Sequence, residues 1–207
     1  MTNKEFLDKA FLAFNSKTLY ATGAFGAPVG VKNNRERYAK NTNKKFPDQA
    51  KRIEAADDDC FMFDCIGLVK GILWKWCAIL EWPDGTPALY GGATYKYDGI
   101  PDFSIKSIEK YCSQWTDSDC SDPIDLGEVL VTEDNSHVAI YAGSGKVIEA
   151  TIRGTGNVQI NSVSTRKWRG HGKLQWIEFL KDQFYDAGWL KCPYCLCEFK
   201  LYVKEND

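Results

Sequence analysis

Residues 59–76 read DCFMFDCIGLVKGILWKW, and the fold turns on them. From Cys65, the apolar residues Leu68, Val69, Ile72, Leu73 and Trp76 follow at three, four, seven, eight and eleven positions. That is the spacing of one face of an α-helix packed on a core. Asp64 stands just ahead of it as a first-turn acid or cap. Cys65 therefore opens a largely buried helix. A thiol there meets the positive end of the helix dipole and unpaired backbone N–H groups, which favour its thiolate. This is where a cysteine nucleophile would be placed, and a buried, inert cysteine is the alternative. A partner histidine decides between the two.

Upstream, MTNKEFLDKAFLAF reads as an amphipathic helix with Phe6, Leu7, Ala10, Phe11 and Phe14 on one face. Lys4, Asp8 and Lys9 interrupt any apolar run, so it is not a signal peptide, and no segment is long enough to span a membrane. Thr18–Gly30, TLYATGAFGAPVG, reads as a loop that lets backbone approach something closely. Residues 33–59 are polar, with a short helix near Pro47–Ala56. The Cys65 helix is expected to run to Trp82–Gly85, where Pro83 and Gly85 stop it. Residues 84–104 read as an ordered surface loop rich in Tyr and Gly. A second helix, about Ser104–Cys112, carries Ile105, Ile108 and Tyr111.

From Gly127 the pattern changes to period two and β-branched residues. Glu128–Thr132, His137–Ala142, Lys146–Thr151 and Asn157–Ile160 read as strands, with a tight hairpin at Gly143–Gly145, and Leu174–Phe179 reads as the last strand. Helices first and strands after make the chain α+β with an antiparallel sheet. At 207 residues, with 44% hydrophobic and 26% charged positions, it has the means for one globular core over 1–180 and a short Cys-rich tail over 181–207. A net charge of −2 gives no footprint for nucleic acid. The short basic stretches Lys40–Lys45 and Arg166–Arg169 read as solvated surface. Of the eight cysteines, Cys77 reads as core filler and Cys60, Cys112 and Cys120 sit in irregular polar contexts.

Only two histidines are present. His137 begins HVAIYAG, and the hairpin returns through KVIEAT, which carries Glu149. Pairing across Gly143–Gly145 brings the ends at 137 and 149 together, and a carboxylate beside an imidazole orients it and stabilises its charged form. Cys65, His137 and Glu149 are thus candidates for nucleophile, general base and orienting group. An exposed strand acid is the competing reading of Glu149. His171, in RGHGK, reads as a surface or loop residue.

FDCIGL followed by SHVAIYAGSGKVIEAT resembles the NlpC-type papain-like cell-wall peptidases, a family of peptidoglycan hydrolases. Their Asp-Cys at a helix start, a later His-Val-(Ala/Gly)-Ile-Tyr and a third polar residue twelve positions on are matched here by Asp64-Cys65, His137 and Glu149. A Tyr-x-x-Gly upstream is matched by Tyr20–Gly23. The resemblance implies a papain-like α+β fold with N-terminal helices, its nucleophile at a helix N-terminus packed on an antiparallel sheet. It implies a Cys-His-Glu thiol mechanism on the peptidoglycan stem peptide, with Tyr20 lining the cleft, Asp64 either pairing with a substrate amine or capping the helix, and no cofactor required. The residue after the nucleophile is commonly Ser in the family, where it helps hold a free stem-peptide amine, and is Ile66 here. The long Tyr- and Gly-bearing insertion between nucleophile and histidine is most similar to phage or prophage endolysins. Such a protein is made in the cytoplasm without a signal peptide and acts on the wall after release.

In the tail, Cys192-Pro-Tyr-Cys195 has the spacing of a zinc knuckle, with Cys197 close by, but a second ligand pair is missing. A structural zinc at Cys192, Cys195 and Cys197, a disulfide, and a reduced hairpin all fit. The competing functional classes are a catalytically silent wall-binding module, a small zinc-ribbon interaction protein, and a lipid-directed acyltransferase of the same broad fold.

Overall fold

The computed structural model describes residues 1–180 together with 189–191 and 198–200. Helix α1 (Asn3–Asn15) begins at a capping box, in which Thr2 and Glu5 each bond the other's backbone N–H. It buries Phe6, Leu7, Ala10 and Ala13, with Phe11 and Phe14 half-buried at the edge of that stripe.

The segment read as a glycine-rich loop contains two short strands, β1 (Thr18–Tyr20) and β2 (Phe25–Pro28). They flank β3 (Phe61–Phe63), β1 in parallel and β2 antiparallel. Strands of three and four residues are too short to show a period in sequence. Helix α2 (Asn34–Asn43) was hidden in the polar segment, because only Asn34, Tyr38, Ala39 and Thr42 are buried on it. It packs on α3 (Pro47–Glu54), which lies where the sequence places a short helix and starts on the expected proline.

Helix α4 (Cys65–Leu73) buries Leu68, Val69, Ile72 and Leu73. It ends nine residues before the predicted stop, because Lys75 (φ 72°) and Ala78 (φ 58°) are left-handed. Trp76 is nevertheless fully buried, edge-on to Phe61 and Phe63. The apolar spacing beyond Leu73 thus reports burial in an irregular turn. The second predicted helix is a 3₁₀ segment, Ile105–Tyr111, and runs directly into strand β4 (Cys112–Asp117), which the polar sequence did not suggest.

Strands β5 (Val129–Thr132), β6 (Val138–Gly143), β7 (Lys146–Ala150), β8 (Val158–Ser162) and β9 (Trp168–Leu174) complete an antiparallel sheet of order β4-β9-β5-β6-β7-β8. The last strand lies earlier than the predicted Leu174–Phe179. RGHGK, whose His171 reads in sequence as a surface or loop residue, lies within β9. Neighbouring backbone explains its glycines: a Cβ on Gly170 would stand 2.4 Å from the Thr116 carbonyl oxygen, and one on Gly172 2.6 Å from that of Gln114.

One sheet face, carrying Val129, Val131, Val138, Ile140, Ile148 and Ala150, forms the main core with α1 and α4. The other, with Leu130, Ala139, Val147 and Trp168, is covered in part by Cys120 and Ile124 from the segment before β5. Burial on both faces is why β5 reads as a continuous apolar run. The architecture is the α+β one expected, N-terminal helices and the Cys65 helix packed on an antiparallel sheet. Among the described residues no helix is long and apolar enough to cross a membrane. A further antiparallel pair joins Trp189–Lys191 to Glu198–Lys200. Cys192, Cys195 and Cys197 lie outside the described residues.

Candidate active site

Asp64 is the N-cap of α4, and its carboxylate reaches two ways. Oδ1 accepts from the Gly67 N–H at 2.6 Å, and Oδ2 accepts from the Gly23 N–H at 2.7 Å. The first bond starts the helix, and the second ties the Tyr20–Gly23 turn to it. Burial pushes the Asp64 carboxyl up, against the pull of those two amides. Both oxygens are thus engaged by backbone, as the capping role requires.

Cys65 follows as the first helical residue and is buried, 6% exposed. Burial, reinforced by the Asp64 charge, pushes its thiol up to about 12, while the backbone N–H groups of Val138, Ile66 and Cys65 itself favour the thiolate. Left alone, the group is a protonated thiol at neutral pH, and a base must take its proton. The Val138 amide is directed at the sulfur, and the residue before it is His137, the candidate base.

His137 lies at the margin of the sheet, just ahead of β6. A compact turn fixes its backbone: its N–H donates to Thr132 Oγ1 at 3.1 Å, Thr132 N–H donates to its carbonyl at 3.1 Å, and Thr132 Oγ1 donates to Asp134 Oδ1 at 2.7 Å. Bonds from Thr132 and Ser136 hold the Asp134 carboxyl down at about 2. The imidazole Nε2 is hydrogen-bonded to Glu149 Oε2, which leaves Nδ1 without a partner among the described residues. Cys65 and His137 are not hydrogen-bonded to each other here. The Val138 amide faces the thiol, and its peptide bond joins it to the backbone of His137. Contacts between a nucleophile and its base commonly tighten only with substrate bound.

Glu149 is 1% exposed, on β7, and every side of its carboxylate is occupied. Besides His137, Arg166 Nε donates to Oε2 at 2.8 Å and Asn161 Nδ2 donates to Oε1 at 2.7 Å. Burial alone would raise this carboxyl, but His137 and Arg166 outweigh it and hold it at about 2. An exposed strand acid is excluded. Tyr20 is half-buried on β1, edge-on to Phe46, and its phenol is pushed up by burial and by the nearby Cys65 and Asp64 charges. The structure therefore gathers Tyr20, Asp64, Cys65, His137 and Glu149 around one end of α4. Ile66 is half-buried against the main core.

Arg166 and Asn161 were missed. Asn161 had a signal: Gln159 pairs directly with Glu149 across β7–β8, and Asn161 follows two residues on, on the same face. Arg166 had none, being read as solvated surface, yet its side chain is 8% exposed. His171 corrects the sequence reading too. It is buried in the middle of β9, its Nδ1 paired with Glu128 and its Nε2 3.0 Å from Asp122 Oδ2. Among the described residues no group of His, Cys, Asp and Glu side chains could hold a metal ion.

No family model and no curated protein matches this chain. Among solved structures it is similar to the peptidoglycan hydrolase RipB of Mycobacterium tuberculosis, at 16% identity over 83% of this chain and 63% of that one, TM-score 0.46. It is also similar to the P60 domain of an antigen of M. avium subspecies paratuberculosis, at 16% identity over 83% and 96%, TM-score 0.42. A third is a mutated form of the resuscitation promoting factor interacting protein RipA, at 16% identity over 83% and 61%, TM-score 0.43. The chain thus spans 63% of the RipB chain and 61% of the RipA chain.

Proposed function

We propose that this chain is a cysteine peptidase or amidase that hydrolyses the stem peptide of bacterial peptidoglycan, with the D-glutamyl–diamino-acid bond as the favoured target and a phage or prophage endolysin as its setting. The observation that carries the reading is the pairing of His137 with a buried, ionised Glu149 beside a thiol at a helix start. The ordered motifs FDCIGL and HVAIY support the choice of substrate.

In this mechanism His137 takes the proton of Cys65 on Nδ1, and Glu149 stabilises the imidazolium that results. The thiolate attacks the amide carbonyl, forming a C–S bond, and the oxyanion is met by the Cys65 N–H at the start of α4. His137 then protonates the departing amine as the C–N bond breaks. Water, deprotonated by His137, releases the acid and restores the thiol. Tyr20 shapes the cleft next to Cys65. The N-acetylmuramoyl–L-alanine amide is the alternative bond.

The test is loss of turbidity of purified Gram-positive cell walls with wild type, Cys65→Ala and His137→Ala, with mass spectrometry of the released fragments. Lysis by wild type alone is expected, and the new amine and acid termini identify the bond cut. No release from a panel of wall types would overturn the reading in favour of a silent binding module.

A further inference from the structure

We propose that Arg166 is a positioning residue of this site: its buried guanidinium keeps Glu149 ionised and aimed at His137, and so sets the pH range over which His137 works with Cys65. The inference rests on Cys65, His137 and Glu149 being the reacting set.

Three charged or chargeable groups stand in a row, with the Glu149 carboxylate between the imidazole and the guanidinium, and Oε2 receives both. Exposed ion pairs contribute little, but these partners are 8% and 1% exposed, so neither charge has water to replace the other. The guanidinium is itself anchored. Nη2 donates to Thr151 Oγ1 at 3.0 Å while Nε donates to Glu149, a two-point grip that a fork of donors makes and a lysine ammonium does not. The chain that delivers it is pinned by the 3₁₀ turn Val163–Thr165, by Thr165 Oγ1 donating to the Ser162 carbonyl, and by Trp168 Nε1 donating to the Val163 carbonyl. Asn161 Nδ2 fixes the other oxygen, so the carboxylate cannot rotate away.

The surrounding charges leave this coupling intact. On the outer side of Arg166 lie Glu133, Asp134, Arg153 and Lys167, two of each sign. Asp134 is spent on Thr132 and Ser136. At the thiol end stand Asp64, held by two amides, and the Tyr20 phenol. Arg166 is therefore the one arginine or lysine bonded to Glu149 among the described residues. Its charge has a defined consequence. Removing a positive charge beside the His137–Glu149 pair makes the pair hold its shared proton to higher pH.

The experiment follows alkylation of Cys65 by iodoacetamide as a function of pH, resolved at the Cys65 peptide by mass spectrometry, in wild type, Arg166→Gln, Arg166→Lys, Glu149→Gln and Glu149→Gln/Arg166→Gln. Wall release is measured in parallel. Arg166→Gln is expected to move the limb set by the His137–Glu149 pair to higher pH and to slow wall release roughly tenfold or more. Arg166→Lys keeps the charge but not the grip, so its limb stays near wild type while its rate falls severalfold. The double variant behaves like Glu149→Gln alone. An unchanged limb in Arg166→Gln, or in Arg166→Lys a shift as large as that of Gln, overturns the proposal and leaves Arg166 as structural support. If Arg166→Gln does not fold, as read by circular dichroism, Arg166→Met, similar in length and without charge, is read against the same two outcomes. Absence of wall release from wild type with the alkylation profiles as expected would count against the substrate and leave Arg166 in its role.

Discussion

Gly67 lies flat against the backbone of Ala24: a Cβ on it would stand 1.8 Å from the Ala24 carbonyl oxygen and 2.8 Å from Asp64 Oδ1. The glycine in Cys65-Ile-Gly-Leu is therefore a packing requirement that lets the turn between β1 and β2 run against the first turn of α4. That carbonyl also accepts from the Asp64 N–H at 2.9 Å, so it cannot retreat without giving up a bond. Gly67→Ala is expected to lower stability by about 3 kcal/mol or more, above the usual cost of overpacking because backbone is what must move. Urea denaturation measures it, and a loss below about 1 kcal/mol would show that the turn yields.

Asp64 separates its two readings in the same kind of measurement. Asp64→Ala removes the helix cap and the bond to Gly23, an expected cost of about 2 kcal/mol. Asp64→Asn supplies one acceptor oxygen where two N–H groups converge, so it is expected to fall between wild type and Ala. If the carboxylate only caps, KM for a soluble stem-peptide fragment stays near wild type in Asp64→Asn while kcat falls. A rise in KM with kcat preserved would instead assign it a substrate amine.

Much of this site was legible because its chemistry sits on regular elements. Cys65 begins a helix whose apolar face repeats over Leu68, Val69, Ile72 and Leu73, and His137 and Glu149 flank a hairpin whose glycines announce it. What was lost lies where local sequence misleads. α2 is polar because it needs few buried side chains. β9 hides behind Gly170 and Gly172, whose need arises from β4, a strand distant in sequence. Arg166 resembles its exposed neighbour Lys167, and only the packing of the β8–β9 connection onto β7 turns it inward. Residues whose role is set by a tertiary partner carry no periodic mark.

The thiol gives a third prediction. Burial and Asp64 push Cys65 up to about 12, so under the proposed mechanism its reactivity at neutral pH is expected to depend on His137. His137→Ala is expected to slow alkylation of Cys65 by iodoacetamide at pH 7 to the level of the buried Cys60, likewise pushed up to about 12. In that variant the rate should climb only in strongly alkaline solution. Equal reactivity of Cys65 in wild type and His137→Ala would show that the helix start alone activates the sulfur.

His171 gives the last prediction, one of stability. Burial alone would lower the basicity of this imidazole, but Glu128 and Asp122, one on each nitrogen, outweigh it and raise its pKa above the ordinary 6.5. A group raised in the folded state contributes stability that is fully present below its unfolded value and is lost as pH rises through its folded one. The urea midpoint is therefore expected to fall as the solution is taken from below pH 6.5 into the alkaline range. His171→Gln should flatten that slope. At acidic pH it should also cost about 3 kcal/mol, because Glu128, 5% exposed, loses its closest positive partner and keeps, among the described residues, only Lys173 at 3.8 Å. A His171→Gln curve parallel to wild type would mean that the slope comes from other groups, and that the imidazole in β9 stays neutral.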